Sequence, residues 1–434
     1  MNLSSFFKEI VQKKLESPPV AIFSIASADP FVLDAAMILA RIHHFPLLIE
    51  STSNQVNQFG GYMHLNPNQY VNYIRDRAIV NDLPSELIFL GGDHLGPTVW
   101  KSDSSDIAME KSKKLIRAYL QAGYRKIHLD ASCPCTDDIA PLPMETIAQR
   151  EAELCVVAVE EIKALGKDVS ELIFVVGTEV PTPGGSQQDL NTILVSSAEE
   201  TERSIFYTKK AFLELQLADA WEQTIAFVVQ PGVEFSDSII HHYDRKKAEP
   251  LKNLITRMDH LVYEAHSTDY QLRPTLKEMT EDHFAILKVG PALTFAMREA
   301  LFALESMECE MHMFVPGPQS NLKHVLNRVM QDQPAYWEGY YSVNQNDAAH
   351  QRKYSLLDRC RYYWTNPDVQ HSLQFLIKNL SNISIPISLI SQFLPDQKIK
   401  VREGRIRNHP RDLILGKISD VIEDYMFACN LLTQ

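Results

Sequence analysis

Eight short, β-prone apolar runs recur along the N-terminal part of this 434-residue chain, each closed by a polar or glycine-bearing turn and followed by enough residues for a helix. They are Ala21 to Ser27, Pro46 to Ser51, Leu87 to Gly92, Lys126 to Asp130, Leu172 to Thr178, Ile225 to Gln230, His260 to His266 and Ala285 to Gly290. Near-continuous apolar runs suit strands buried on both faces, the condition of a parallel sheet. The intervening segments carry helix signals. Ser105 and Asp106 can cap a run that Gly123 ends, and Thr146 to Lys167 and Ala198 to Leu217 behave alike. Eight β/α units in roughly 280 residues is the arithmetic of a closed (β/α)8 TIM barrel. An open doubly wound sheet is the competing fold, but it would want a GxGxxG turn after its first strand, where this chain has Ser27-Ala28-Asp29-Pro30. The expected fold class is therefore α/β, with a TIM barrel over residues 1–312 and a helical appendage packed on it over 313–434. Past Met313 the pattern turns to helices and aromatics, with Trp337, Tyr340, Tyr341, Tyr354, Tyr362, Tyr363 and Trp364 close together, while Asn379 to Pro386 reads as a loop.

Composition narrows what such a barrel serves. The net charge of -13 and a pI near 5.6 argue against nucleic acid or an anionic membrane as partner. Hydrophobic residues at 45% and charged residues at 22% supply an ordinary soluble core. Six cysteines are too sparse for a disulfide framework, and Cys133-Pro134-Cys135 lacks both CxxC spacing and a second pair for zinc, so a reduced, cytoplasmic setting is expected. Phe6, Phe7, Ile10 and Val11 mark a short amphipathic N-terminal helix, and no apolar run is long enough to span a membrane.

In a parallel barrel the chemistry gathers at the C-terminal ends of the strands. Those ends carry Asp29, Glu50, Asp93 with His94, Asp130, Glu179, Gln230, Glu264 with His266, and Lys288. One Asp-His pair alone reads equally well as a capping acid and a buried imidazole. So many acids at one mouth exceed what packing needs, and buried carboxylates without partners are costly, so the cluster points to a bound cation. Imidazole, carboxylate and amide oxygen together suit zinc, or a manganese- or nickel-like divalent ion. The expected ligands are His94 and His266, completed by Glu179 and Gln230. Asp93, Glu179 and Asp130 are the expected catalytic acids and bases, although Asp130 reads equally well as a helix cap. Lys288, set inside an apolar strand, demands an acid partner. Three turns offer small residues and helix N-termini for oxyanions: Thr178 to Gly185, Ala265 to Asp269, and Gly290 to Thr294. Arg359 and Arg361 precede a Tyr-Tyr-Trp run and fit either an anion clamp or a surface helix.

The longest motifs carry a resemblance. Glu50 to Gly61 (ESTSNQVNQFGG), Gly91 to Pro97 (GGDHLGP), Gly177 to Pro181, Val229 to Phe235, Glu264 to Gln271, Lys288 to Phe295, and Tyr354 to Arg359 with Arg361 to Trp364 are similar to the Z-type accessory subunit family of class II tagatose-1,6-bisphosphate aldolase, over nearly the whole chain. That family is associated with galactitol and N-acetylgalactosamine catabolism, and is in turn similar to the catalytic class II aldolases. The resemblance implies the same barrel and a catalytic aldolase partner that this chain stabilises without turning over substrate alone. It also implies that Asp93-His94 falls on the aldolase Asp-His pair and His266 on the last zinc histidine, while Gln230 stands where the catalytic enzymes carry a metal histidine. Glu50, Asn54, Ser267, Thr268, Asp269, Lys288, Gly290, Thr294, Arg359 and Arg361 are the expected contacts for a sugar or sugar phosphate, and self-association is left open. The alternative is an enzyme, a metal-dependent ketohexose or ketohexose-phosphate C4 epimerase of the fructose/tagatose type. Because the C4 hydrogen is not adjacent to the C2 carbonyl, such an enzyme would have to open and reclose the C3–C4 bond, with Asp93 as base at O4.

Overall fold

The computed structural model describes residues 3–177, 193–313, 318–342 and 344–432. Among the described residues ten strands follow in chain order: β1 (Ile22–Ile25), β2 (Leu47–Thr52), β3 (Ile88–Leu95), β4 (Lys126–Leu129), β5 (Ile173–Gly177), β6 (Thr224–Val228), β7 (Glu234–Phe235), β8 (Ile240–His241), β9 (Val262–Ala265) and β10 (Phe284–Val289). Eight of them close into one parallel barrel in the order β1-β10-β9-β6-β5-β4-β3-β2, while β7 and β8 pair antiparallel as a small hairpin on the β6–β9 connection. These eight coincide with the apolar runs read from the sequence. The barrel is sealed by β1 pairing with β10, Ser24 opposite Lys288.

Two glycines place the mouth. A Cβ on Gly91 would lie 2.5 Å from Oε1 of Glu50, and one on Gly96 would lie 1.6 Å from the carbonyl oxygen of Asp130. Only glycine lets β3 press against its neighbours at these points. Between Gly92 and Leu95 the register of β3 against β4 shifts, and His94 takes a left-handed φ of 50°. Irregularities of this kind re-aim side chains beside functional sites.

The opposite end is apolar. Helix Leu3–Gln12 buries Phe6, Phe7, Ile10 and Val11 against β5 and β6, with Phe6 also meeting Phe89. Lys14 follows and donates from Nζ to the carbonyls of Ile255 (2.9 Å), Leu261 (3.1 Å) and Met258. Its charge thereby sits near the C-terminus of helix Arg245–Thr256, where a cation is favoured.

Beyond the barrel strands the chain is helical. Helix Pro410–Ala428 lies on Pro291–Glu310, Pro30–His43 and Arg273–Glu281, and Tyr425 donates its hydroxyl to the Thr268 carbonyl at 2.8 Å. The stretch expected to be a loop from Asn379 begins inside helix Pro367–Ser381. Asn379 stays helical because its side-chain amide is buried, donating to Glu308 (2.6 Å) and to the Pro318 carbonyl (3.0 Å). Helix Ser105–Ala122 begins one residue from where it was expected, and its first amide donates to a distant acid, Asp137, at 2.7 Å. Gly123 ends it with a φ of 108°. Among the described residues no helix is long and apolar enough to cross a membrane.

Candidate functional site

Successive residues of a strand face opposite sides, so every second residue of a barrel strand points inward. On β4 that rule delivers Lys126 and His128 to the interior, and Asp130 follows at the strand's end. On β9 it delivers Glu264 with His266 beyond it, on β10 Lys288, and on β2 Glu50. Lys126, Glu50 and Glu264 are all 0% exposed. Lys126 Nζ bridges Glu264 Oε2 at 2.6 Å and Glu50 Oε1, and Ser24 donates to the other oxygen of Glu50 at 2.8 Å. Above this layer Lys288 Nζ reaches Glu50 and Glu264, each at 3.3 Å, and pairs closely with Asp93. The acid partner that Lys288 demanded is thus threefold. Burial opposes charge on both lysines, but Glu264 with Glu50 raises Lys126, and Asp93 with Glu50 and Glu264 holds Lys288 well above its ordinary range.

Three imidazoles crown the network. Each gives one ring N–H to a carboxylate: His94 Nδ1 to Asp130 at 2.7 Å, His128 Nδ1 to Asp93 at 2.8 Å, and His266 Nε2 to Glu264 at 2.9 Å. Their ring centroids lie 4.9 to 5.4 Å apart. Asp93, His94, His128 and His266 each offer a ligand atom within 4.8 Å of the others, and all four are buried. Burial alone would raise Asp93, yet His94, Lys288 and the hydrogen bond from His128 hold it well below the usual carboxylate range. Asp130 is likewise lowered, by His94 against its own burial, and Glu264 by Lys126, Lys288 and His266. His128 is lowered as well, because burial lowers it more than Asp93 raises it. Its Nδ1 faces both Asp93 and, at 3.3 Å, the backbone N–H of His94. Among the described residues its Nε2 is buried with no hydrogen-bond partner.

That orphaned nitrogen and the surrounding donors fit a divalent cation. A histidine ligand that gives its other N–H to a carboxylate is the usual arrangement around a protein-bound metal. Here all three histidines have such a partner, and the four carboxylates of the network outnumber its two ammonium groups.

The cavity above is lined by Asn54, Tyr62, Asp93, His94, His266, Ser267, Asp269, Lys288, Gly290, Arg361 and Tyr362, among others. Arg361 anchors itself by donating to the carbonyls of Leu357 (2.5 Å) and Asp358 (3.2 Å) and to the Tyr362 hydroxyl (2.9 Å), which places it in the mouth and not on a surface helix. Burial alone would raise the Tyr362 hydroxyl, but Arg361 and Arg359 bring it below its ordinary value.

Other expected contacts lie elsewhere. Arg359 is stacked between Tyr340 and Tyr362 and donates to the Tyr336 carbonyl. Thr294 donates to Asp358 at 2.6 Å, and Thr268 donates to the Lys288 carbonyl at 2.6 Å. Gln230, expected as a metal ligand, turns its Oε1 to the amides of Gly232 (2.7 Å) and Val233 (3.0 Å), capping its own turn. Asp130 caps no helix, because a loop follows β4 and the next helix is Met144–Ala164; its Oδ1 accepts from Ser132 (3.1 Å from the backbone N–H) and its Oδ2 meets His94. Asp29 caps helix Pro30–His43. Glu179 and the turn from Thr178 to Gly185 lie outside the described residues. Sequence reasoning passed over His128 and Lys126, although the alternation Lys126, His128, Asp130 against Ile127 and Leu129 carried the signal.

Fold and mouth together define a (β/α)8-barrel protein with an acid–imidazole site at the C-terminal ends of its strands. Residues 7–430 match the model of the D-tagatose-1,6-bisphosphate aldolase subunit GatZ/KbaZ-like family, and the chain belongs to that family. A relative from Escherichia coli named D-tagatose-1,6-bisphosphate aldolase subunit GatZ is 44% identical over 424 residues, covering 97% of this chain and 99% of its own length. A Salmonella dublin relative of the same name is 44% identical over 422 residues with the same coverage. A solved structure from Sinorhizobium meliloti 1021, described as a probable tagatose 6 phosphate kinase, matches at 38% identity and a TM-score of 0.86, covering 94% of this chain and 100% of that one.

Proposed function

We propose that this chain is the accessory subunit of a class II D-tagatose-1,6-bisphosphate aldolase, stabilising a catalytic partner, and that its own barrel mouth is a divalent-cation and sugar site. The observation that carries the first part is the near full-length similarity to relatives named as subunits of that aldolase. A cytoplasmic setting belongs to the same reading and is supported by six cysteines that are all unbridged.

For the mouth, His94, His128 and His266 would hold the cation, with Asp93 beside them. When bound, such an ion supplies Lewis-acid polarisation of a sugar oxygen. Asp93, kept ionised and 3% exposed, is placed to accept a hydroxyl proton from a ligand in the cavity. Lys288 contributes fixed positive charge beside it, and Lys126 holds Glu50 and Glu264 in place beneath. Arg361 and Asn54 on the rim would orient the sugar.

A second reading rests on that same intact acid–imidazole set. It is C4 epimerisation by opening and reclosing the C3–C4 bond, with Asp93 taking the O4 proton and returning it. The deciding experiment assays the purified chain alone and with a catalytic aldolase subunit, for cleavage and for epimerisation. The accessory role predicts no turnover alone and a longer-lived partner activity that survives Asp93→Asn. Epimerisation by the lone chain that disappears in Asp93→Asn, with metal content unchanged, would replace it with the enzymatic reading.

A further inference from the structure

The turn that closes β10 does receive an oxyanion, and the protein itself supplies it. The backbone amides of Gly290 (3.0 Å) and Ala292 (2.8 Å) both donate to Oδ1 of Asp269, which is 3% exposed and lines the cavity. These amides open helix Pro291–Glu310, the place where a barrel commonly holds a substrate phosphate after its last strands. A phosphate arriving there would displace a carboxylate already making two hydrogen bonds, or face its charge at close range. Among the described residues the rest of the rim offers little to compensate. Lys288 is engaged by Asp93, Glu50 and Glu264, Thr294 donates to Asp358, and Thr268 donates to the Lys288 carbonyl. Among the described residues Arg361 is the one guanidinium on the lining. Burial pushes the Asp269 carboxyl up to about 6, against the pull of the Ala292 and Gly290 amides and, after them, of Arg361. A carboxylate and a guanidinium on one wall suit a polyol, since one accepts from a hydroxyl while the other donates to the next.

We propose that Asp269 is a built-in counter-anion that fills the phosphate cradle, so that this pocket selects an unphosphorylated ketose and turns away a ketose bisphosphate. The inference rests on reading the mouth as a sugar site, and it leaves the bisphosphate to be bound by the catalytic partner.

Calorimetric titration of the full-length chain with tagatose, tagatose 1,6-bisphosphate and inorganic phosphate tests it. Wild type is expected to bind tagatose at least about tenfold more tightly than the bisphosphate. Asp269→Asn keeps an acceptor oxygen for the two amides and removes the charge, and should narrow that gap by about fivefold. Asp269→Ala empties the cradle and should bind inorganic phosphate about tenfold more tightly than wild type. Wild type binding the bisphosphate as tightly as tagatose, or a ratio unmoved in both variants, overturns the inference while leaving the sugar site standing. Should Asp269→Ala fail to fold, the Asp269→Asn ratio decides alone. Absence of binding by either sugar, in wild type and variants, overturns the sugar site and this inference together.

Discussion

The two ends of this barrel solve burial in opposite ways. At the N-terminal end an amphipathic helix supplies Phe6, Phe7, Ile10 and Val11, and the buried cation Lys14 is satisfied by backbone carbonyls. At the C-terminal end four carboxylates, two lysines and three histidines share one network, and a ring nitrogen of His128 is left over. The closed end is therefore held by area removed from water, and the open end by charges that are tolerable only in one another's company. Side chains at the first end can be trimmed one at a time. At the second, removal of any member strands the others.

The largest expected effect comes from breaking the charged end at its centre. Lys126→Met leaves Glu50 and Glu264 to share Lys288 with Asp93 and should cost about 3–5 kcal/mol in urea unfolding. Its pH dependence sharpens the contrast. Asp93 and Glu264 have folded pKa values well below their ordinary ones, so their stabilisation is present above roughly pH 4 and is lost as pH falls toward the folded values. Lys126 is the largest of the influences that hold Glu264 down, so the variant should show a shallower loss of stability on acidification than wild type. A variant that unfolds with an unchanged acid slope would mean that the network is not the source of that slope.

Next in size is the cation. Zinc, manganese or nickel at a hundredfold excess over its Kd should raise stability by about 2.7 kcal/mol, read as a shift in Tm, and His128→Ala should abolish the shift. Metal content that survives intact in His128→Ala would show that the orphaned nitrogen is not a ligand. Lys14→Met, at the other end, removes a donor from three carbonyls and should cost about 1–3 kcal/mol with the metal response unchanged. Smallest is Ile10→Val, at about 0.5–1.5 kcal/mol, with both acid slope and metal response equal to wild type. Either of the last two altering metal binding would show that the ends are coupled.

How much of this was legible follows the same divide. The strands were legible because a run such as Leu172 to Thr178 is apolar on both faces, a pattern that local sequence carries. Residues at strand ends were legible from their position alone, which is why Asp93, His94, His266 and Lys288 converge as expected. Lys126 and His128 were passed over because they sit within a strand, and only strict alternation with Ile127 and Leu129 betrays them. The fates of Thr294, Thr268 and Gln230 depended on partners remote in sequence or on the turn each residue happens to cap. Thr294 is held by Asp358, whose position follows from its pairing with Arg298 at 2.7 Å, a contact that no local pattern announces.

The seam between β1 and β10 has a consequence for how the site comes into being during synthesis. Because the first and last barrel strands are neighbours, no intermediate length of nascent chain can close the ring. Lys288 lies on that last strand, so Glu50 and Asp93 leave the ribosome long before their shared counter-ion does. Until then the acids of β2 and β3 belong in water, and the half-made sheet presents an open edge. The charged mouth is thus completed in the last step of barrel closure, and the chain must cross that interval with its interior acids short of Lys288, one of their two ammonium partners.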